Sequence, residues 1–90
     1  MHDELLTLKN IGKTSAQWLH ASGIHTAEDL RRLGALQAYL AVKTRGFGAS
    51  RVLLYAIEGA LHDIPWQHLS EIRKAELNEQ LNKDGHGNKS

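Results

Sequence analysis

The chain has 90 residues, enough for one domain with a modest core, and its 41% hydrophobic and 23% charged content is that of an ordinary globular protein. It contains no cysteine, which excludes disulfides and thiolate metal sites and suits a reducing cytosol. The net charge of +1 is too small to name a partner by itself.

In chain order, Asp3 is placed to cap a first short helix whose apolar face is Leu5, Leu6 and Leu8. Asn10-Ile11-Gly12 ends it, because asparagine and glycine most readily adopt positive φ. A second helix is predicted from Lys13 or Thr14 to about Ala21, with Ala16, Leu19 and Trp18 inward. Gly23 stands where a terminating glycine belongs, and Ile24 can pack back on the last turn. Thr26-Ala27-Glu28-Asp29 resembles a capping box, with Asp shorter than the usual Glu or Gln, and opens a third helix that closes near Leu33-Gly34.

A fourth helix is predicted over Ala35–Thr44, ended by Arg45-Gly46-Phe47-Gly48. Ser50 caps a fifth, Arg51 to about Leu61, apolar on nearly every face through Val52, Leu53, Leu54, Tyr55, Ala56, Ile57, Ala60 and Leu61. Such a helix belongs at the centre. Gly59 lowers its helix propensity by roughly 1 kcal/mol, so another backbone is expected to pass close to it. Pro65 breaks the chain, and Ser70 caps a last amphipathic helix, Glu71 to about Leu81, with Ile72, Leu77 and Leu81 on one side. Residues 82–90 offer nothing apolar to bury and read as a disordered tail. The expectation is therefore an all-α compact bundle of five or six short helices over residues 1–81, containing a helix-hairpin-helix-like motif at Leu5–Leu30.

No apolar run reaches the roughly 18 residues of a membrane span and no signal-peptide pattern appears, so the protein reads as soluble, cytoplasmic and without a membrane partner. Charge is unevenly spread. Between Lys9 and Glu58, seven basic residues (Lys9, Lys13, Arg31, Arg32, Lys43, Arg45, Arg51) face three acidic ones (Glu28, Asp29, Glu58), and any polyanion contact belongs there.

At the first turn, backbone N–H groups and the second helix's dipole can hold a phosphate, with Gly12 permitting close approach and Lys9, Lys13 and Thr14 beside it. Such contacts position a protein without reading sequence. DNA-binding hairpins commonly have glycine on both sides of the apolar residue, whereas Asn10 replaces the first here. Its side chain either occupies the phosphate space or leaves the turn open; the plain alternative is a helix connection that packs Ile11. The loop Lys43–Arg51 offers a second anion nest, with Arg45 and Arg51 near Ser50, or simply a loop before a capped helix; Phe47 is more economically a core plug than a base-stacking residue.

The six histidines, at 2, 20, 25, 62, 68 and 86, include no i, i+4 pair, so no metal site is expected. Ser15 and Ser50 are explained as helix-start residues, and no activated nucleophile, inward carboxylate pair or nucleotide turn is recognisable: neither a catalytic residue nor a cofactor or small-molecule substrate is expected. Trp18, Tyr39, Tyr55 and Trp66 read as packing residues.

Leu8-Lys9-Asn10-Ile11-Gly12, then Ser15-Ala16, Trp18-Leu19, Gly23-Ile24, Thr26 and Asp29-Leu30, resembles the opening of the C-terminal domain of the TfoX/Sxy proteins. Leu54–Leu61, Trp66 and Arg73-Lys74-Ala75-Glu76-Leu77 are similar to that domain's second half. The resemblance implies a helical, helix-hairpin-helix-like fold in a bacterial family associated with regulating competence genes. Full-length members carry a preceding domain, and the start at Met1 reads as a stand-alone domain. The expected function is a non-enzymatic regulatory module that contacts double-stranded DNA weakly through Lys9, Gly12, Lys13, Thr14, Arg45 and Arg51; the alternative is a module for a protein partner or a homodimer, without nucleic acid.

Overall fold

The structure, a computed structural model, describes residues 3–86, with side chains through residue 83. Among these residues it is all-helical: a 3₁₀ turn at Glu4–Thr7, α1 at Lys13–Ala21, α2 at Ala27–Thr44, α3 at Arg51–His62, a second 3₁₀ turn at Trp66–His68, and α4 at Glu71–His86. The α-helices number four rather than five or six. The predicted first helix is only a 3₁₀ turn, and α2 takes in both helices predicted on either side of Gly34, which meet at a kink where Gly34 takes φ 82° and ψ 164°. That region is essentially glycine-only, which is why the chain turns at this residue.

Local punctuation is as predicted. The Asp3 carboxylate accepts from the Leu5 N–H at 3.0 Å, Ser50 caps α3 through the Val52 N–H, and Ser70 accepts from the Arg73 N–H at 3.0 Å. α1 ends in a Schellman turn: Gly23 N–H donates to His20 O and Ile24 N–H to Leu19 O, with Gly23 at φ 86°. The capping box is shifted by one residue. Thr26 Oγ1 accepts from the Asp29 N–H, but Asp29 Oδ2 accepts from the His25 N–H, one position before the cap.

α3 is the central helix, and its packing on α2 is the largest helix–helix contact. Leu53, Leu54 and Ile57 of α3 share one buried core with Leu30, Ala38, Tyr39 and Val42 of α2, with Leu5, Ile11, Leu19 and Ile24, and with Leu77 of α4. Three predicted apolar positions face outward instead. Leu6 is exposed because a 3₁₀ turn repeats every three residues, so Leu5 and Leu8 share the inner side. Ile72 is 74% exposed, since five residues of α-helix rotate it about 140° away from buried Leu77. Val52, in the first turn of α3, is also exposed.

Gly59 confirms the predicted close approach. A Cβ there would stand 2.7 Å from Ile64 O and 3.2 Å from Trp66 Cα. α4 continues to His86 rather than ending near Leu81, so the tail predicted from Asn82 is helical as far as His86. The remainder of that prediction falls on residues 87–90, outside the described residues.

Candidate nucleic-acid interface

The first turn is built on Asn10, which takes the left-handed conformation at φ 73°. Ile11 follows and is buried. Gly12 is the extended N-cap of α1, its carbonyl accepting from the Ala16 N–H at 2.9 Å. Thus the backbone does what the Asn-Ile-Gly spacing requires, although the segment before it is a 3₁₀ turn.

The Asn10 side chain does not cover the turn, while the buried Ile11 also fits a plain helix connection. The amide turns away from the α1 N-terminus and into the molecule. Its Nδ2 donates to Ile64 O at 2.9 Å and to Ala56 O at 3.4 Å, and its Oδ1 accepts from the Trp66 N–H at 3.3 Å. The amide thereby satisfies backbone groups of α3 and of the break after it, groups that would be expensive to leave unpaired.

The α1 N-terminus is correspondingly uncovered. Among the described residues no side chain caps it, and its first turn holds no acidic residue. Lys9, Gly12, Lys13 and Thr14 are all exposed, and a Cβ on Gly12 would meet nothing within 4 Å. The first N–H groups of an α-helix have no partner within the helix, so this end presents donors and the positive end of the dipole to solvent.

The other two predicted residues lie on a different segment, where α2 ends and α3 begins. Arg45 is exposed at the end of α2 and has no ion pair among the described residues. Arg51 is committed to α4, its Nη1 donating to Asn78 Oδ1 at 2.7 Å. It borders an open cavity of about 430 Å³ whose wall also includes Tyr39, Leu40, Lys43 and Leu81. The loop between them is held by Phe47, which stacks on Trp18 of α1 with centroids 5.5 Å apart. Phe47 is therefore a packing residue, as predicted. Tyr55 and Trp66 stack likewise, with Lys74 over both rings.

Sequence reading missed two polar clusters. Glu58 is buried, and its Oε2 accepts from Arg73 Nε at 2.8 Å and contacts His62 Nε2 at 3.1 Å, tying α3 to α4. The hydrogen bond to Glu58 raises the Arg73 guanidinium pKa above its ordinary value. The i, i+4 spacing of Glu58 and His62 was visible, but Arg73 was not linked to them by any local signal. The second cluster is Asp3, His20 and His25, joined across the Gly23 turn. Among the described residues no three His, Cys, Asp or Glu side chains converge so as to hold a metal ion, and no helix is long and apolar enough to cross a membrane.

Comparison with known proteins adds the family. Residues 1–81 match the TfoX C-terminal domain. The chain is similar to an uncharacterized protein from Listeria monocytogenes in a triclinic crystal form, at 35% identity and TM-score 0.82, over 92% of this chain and 93% of that one. It is also similar to a protein of unknown function from Listeria monocytogenes in a tetragonal form, at 37% identity and TM-score 0.79, over 83% and 93% of the two chains. No curated protein matches it. Sequence and fold agree along nearly the whole chain, and the protein belongs to the TfoX C-terminal domain family.

Proposed function

We propose that this domain is a non-enzymatic, cytoplasmic regulatory module whose helix-hairpin-helix-like turn contacts the phosphates of double-stranded DNA weakly and without reading sequence. The observation that carries the reading is the inward turn of Asn10, which leaves the α1 N-terminus open beside Lys9 and Lys13. Backbone N–H groups from Gly12 to Thr14 donate to one phosphate there, and the two lysines add charge. Arg45 supplies a second, peripheral contact. Arg51 contributes only when it releases Asn78. Membership of the TfoX C-terminal domain family supports a competence-related regulatory role.

Two to four phosphate contacts imply a dissociation constant on the order of 10⁻⁴ to 10⁻⁶ M with strong salt dependence. Fluorescence anisotropy on a labelled duplex at two salt concentrations tests this. Lys13→Glu and Gly12→Val are the informative variants, since Lys13 is exposed and a larger side chain at Gly12 meets open space, so the fold survives both. Binding lost in both variants and weakened by salt supports the reading. Absence of binding at low salt, or binding indifferent to Lys13→Glu, overturns it and favours a module for a protein partner or a second copy of the chain.

A further inference from the structure

The loop Lys43–Arg51, where the sequence offers a second anion nest, forms one side of the open cavity of about 430 Å³. Three helices meet around that space. α2 gives Tyr39, Leu40 and Lys43, the start of α3 gives Arg51 and the N-cap Ser50, and α4 gives Leu81. None of the described residues that line it is acidic. Lys43 and Arg51 form no ion pair among the described residues, and Arg51 shares only Nη1, with Asn78.

Tyr39 supplies a separate observation. The residue is only 3% exposed, and no group among the described residues bonds its hydroxyl. A sealed phenol without a partner would be costly. Among the described residues no buried side-chain oxygen or nitrogen lacks a partner, so this hydroxyl is not sealed off. The cavity that Tyr39 lines is its opening to solvent. A buried tyrosine thus keeps a free donor on the wall of a cationic, partly apolar hollow.

We propose that this cavity binds a small organic anion, one carboxylate on an apolar body. The carboxylate sits between Lys43 and Arg51 at the N-terminus of α3, where the first turn holds no acidic residue and the dipole favours negative charge. The Tyr39 hydroxyl donates to it, and the apolar body lies against Tyr39, Leu40 and Leu81. The volume is in the ordinary range of small-molecule sites, which are mostly apolar with a few placed polar groups. Two cations, one already sharing a nitrogen with Asn78, suit a single carboxylate rather than a polyphosphate. Because the wall draws on α2, α3 and α4, an occupant ties the later part of α4 to the rest of the domain. The inference does not rest on the DNA contact at the first turn, in which Tyr39, Lys43 and Leu81 take no part.

The test is titration of the full chain with octanoate and with hydrocinnamate, followed by amide ¹⁵N NMR. Saturable shifts are expected at Tyr39, Leu40, Lys43, Arg51 and Leu81. Lys43→Gln and Arg51→Gln should each weaken binding about fivefold or more, and Tyr39→Phe about threefold. Tyr39→Phe removes only a hydroxyl that no protein group bonds, so its melting temperature should match the parent's, which separates a lost contact from lost folding. The corresponding uncharged amides, and inorganic phosphate, should each bind at least tenfold more weakly than the acids. Absence of saturable shifts with both acids up to about 10 mM overturns the site. So does an amide or phosphate that binds as tightly as the acids, or binding within twofold of the parent in both Lys43→Gln and Arg51→Gln.

Discussion

The side chain of Asn10 occupies the space that a Cβ on Gly59 would need: such an atom would stand only 2.6 Å from Asn10 Nδ2. The two residues therefore specify one another, the glycine by making room and the asparagine by filling it with a hydrogen-bonded amide. Gly59→Ala tests this by sign. Helix propensity alone predicts stabilisation by about 1 kcal/mol, whereas the clash with Asn10 and the Ile64 carbonyl predicts net destabilisation of about 1–3 kcal/mol. Urea denaturation of the variant should show the loss.

Asn10→Gly restores the glycine pattern common in DNA-binding hairpins while retaining a residue suited to φ 73°. It removes the partners of Ile64 O and the Trp66 N–H, so it should destabilise the domain by about 1–3 kcal/mol. Because the amide points away from the α1 N-terminus, affinity for a DNA duplex measured well below the unfolding transition should stay within about twofold. A large gain in affinity would show that Asn10 obstructs the turn after all.

Glu58 and Arg73 allow a second test of sign. Glu58 is only 3% exposed, and Arg73→Leu leaves its carboxylate with His62 alone. The loss should be about 2–3 kcal/mol, below that for a fully buried pair because the Arg73 side chain is 39% exposed. The double variant Glu58→Leu/Arg73→Leu removes the stranded charge and should be more stable than Arg73→Leu in chemical denaturation.

Asp29 makes stability sensitive to acid. Its pKa lies below the ordinary carboxylate value, chiefly because its carboxylate accepts the His25 N–H. A carboxylate with a depressed folded-state pKa contributes fully above its unfolded value, near pH 4, and loses that contribution as pH falls through the folded value. The melting temperature should drop on acidification below about pH 4, and Asp29→Asn should flatten that part of the profile.

Much of the architecture was legible because helix ends are local. Asp3, Gly23, Thr26, Ser50 and Ser70 each act on a backbone group within a few residues, and each does so where the pattern placed it. The apolar run Leu53–Ile57 identified the central helix, and Gly59 further along that helix announced a close neighbour. Among the candidate site residues, Lys9, Gly12, Lys13 and Thr14 were legible as a group because they are clustered around one turn.

Tertiary structure decided the rest. Whether Asn10 covers or opens the turn depends on Ala56, Ile64 and Trp66, which lie 46 to 56 residues away in the chain. The same holds for Arg73 reaching the buried Glu58, and for Arg51 reaching Asn78. By itself the sequence determined an all-helical chain, most of its helix caps and a left-handed turn at Asn10, since φ preferences and caps act at short range. Packing alone determined the direction of that residue's amide, because a side-chain donor goes to whichever carbonyls the folded chain leaves unpaired beside it.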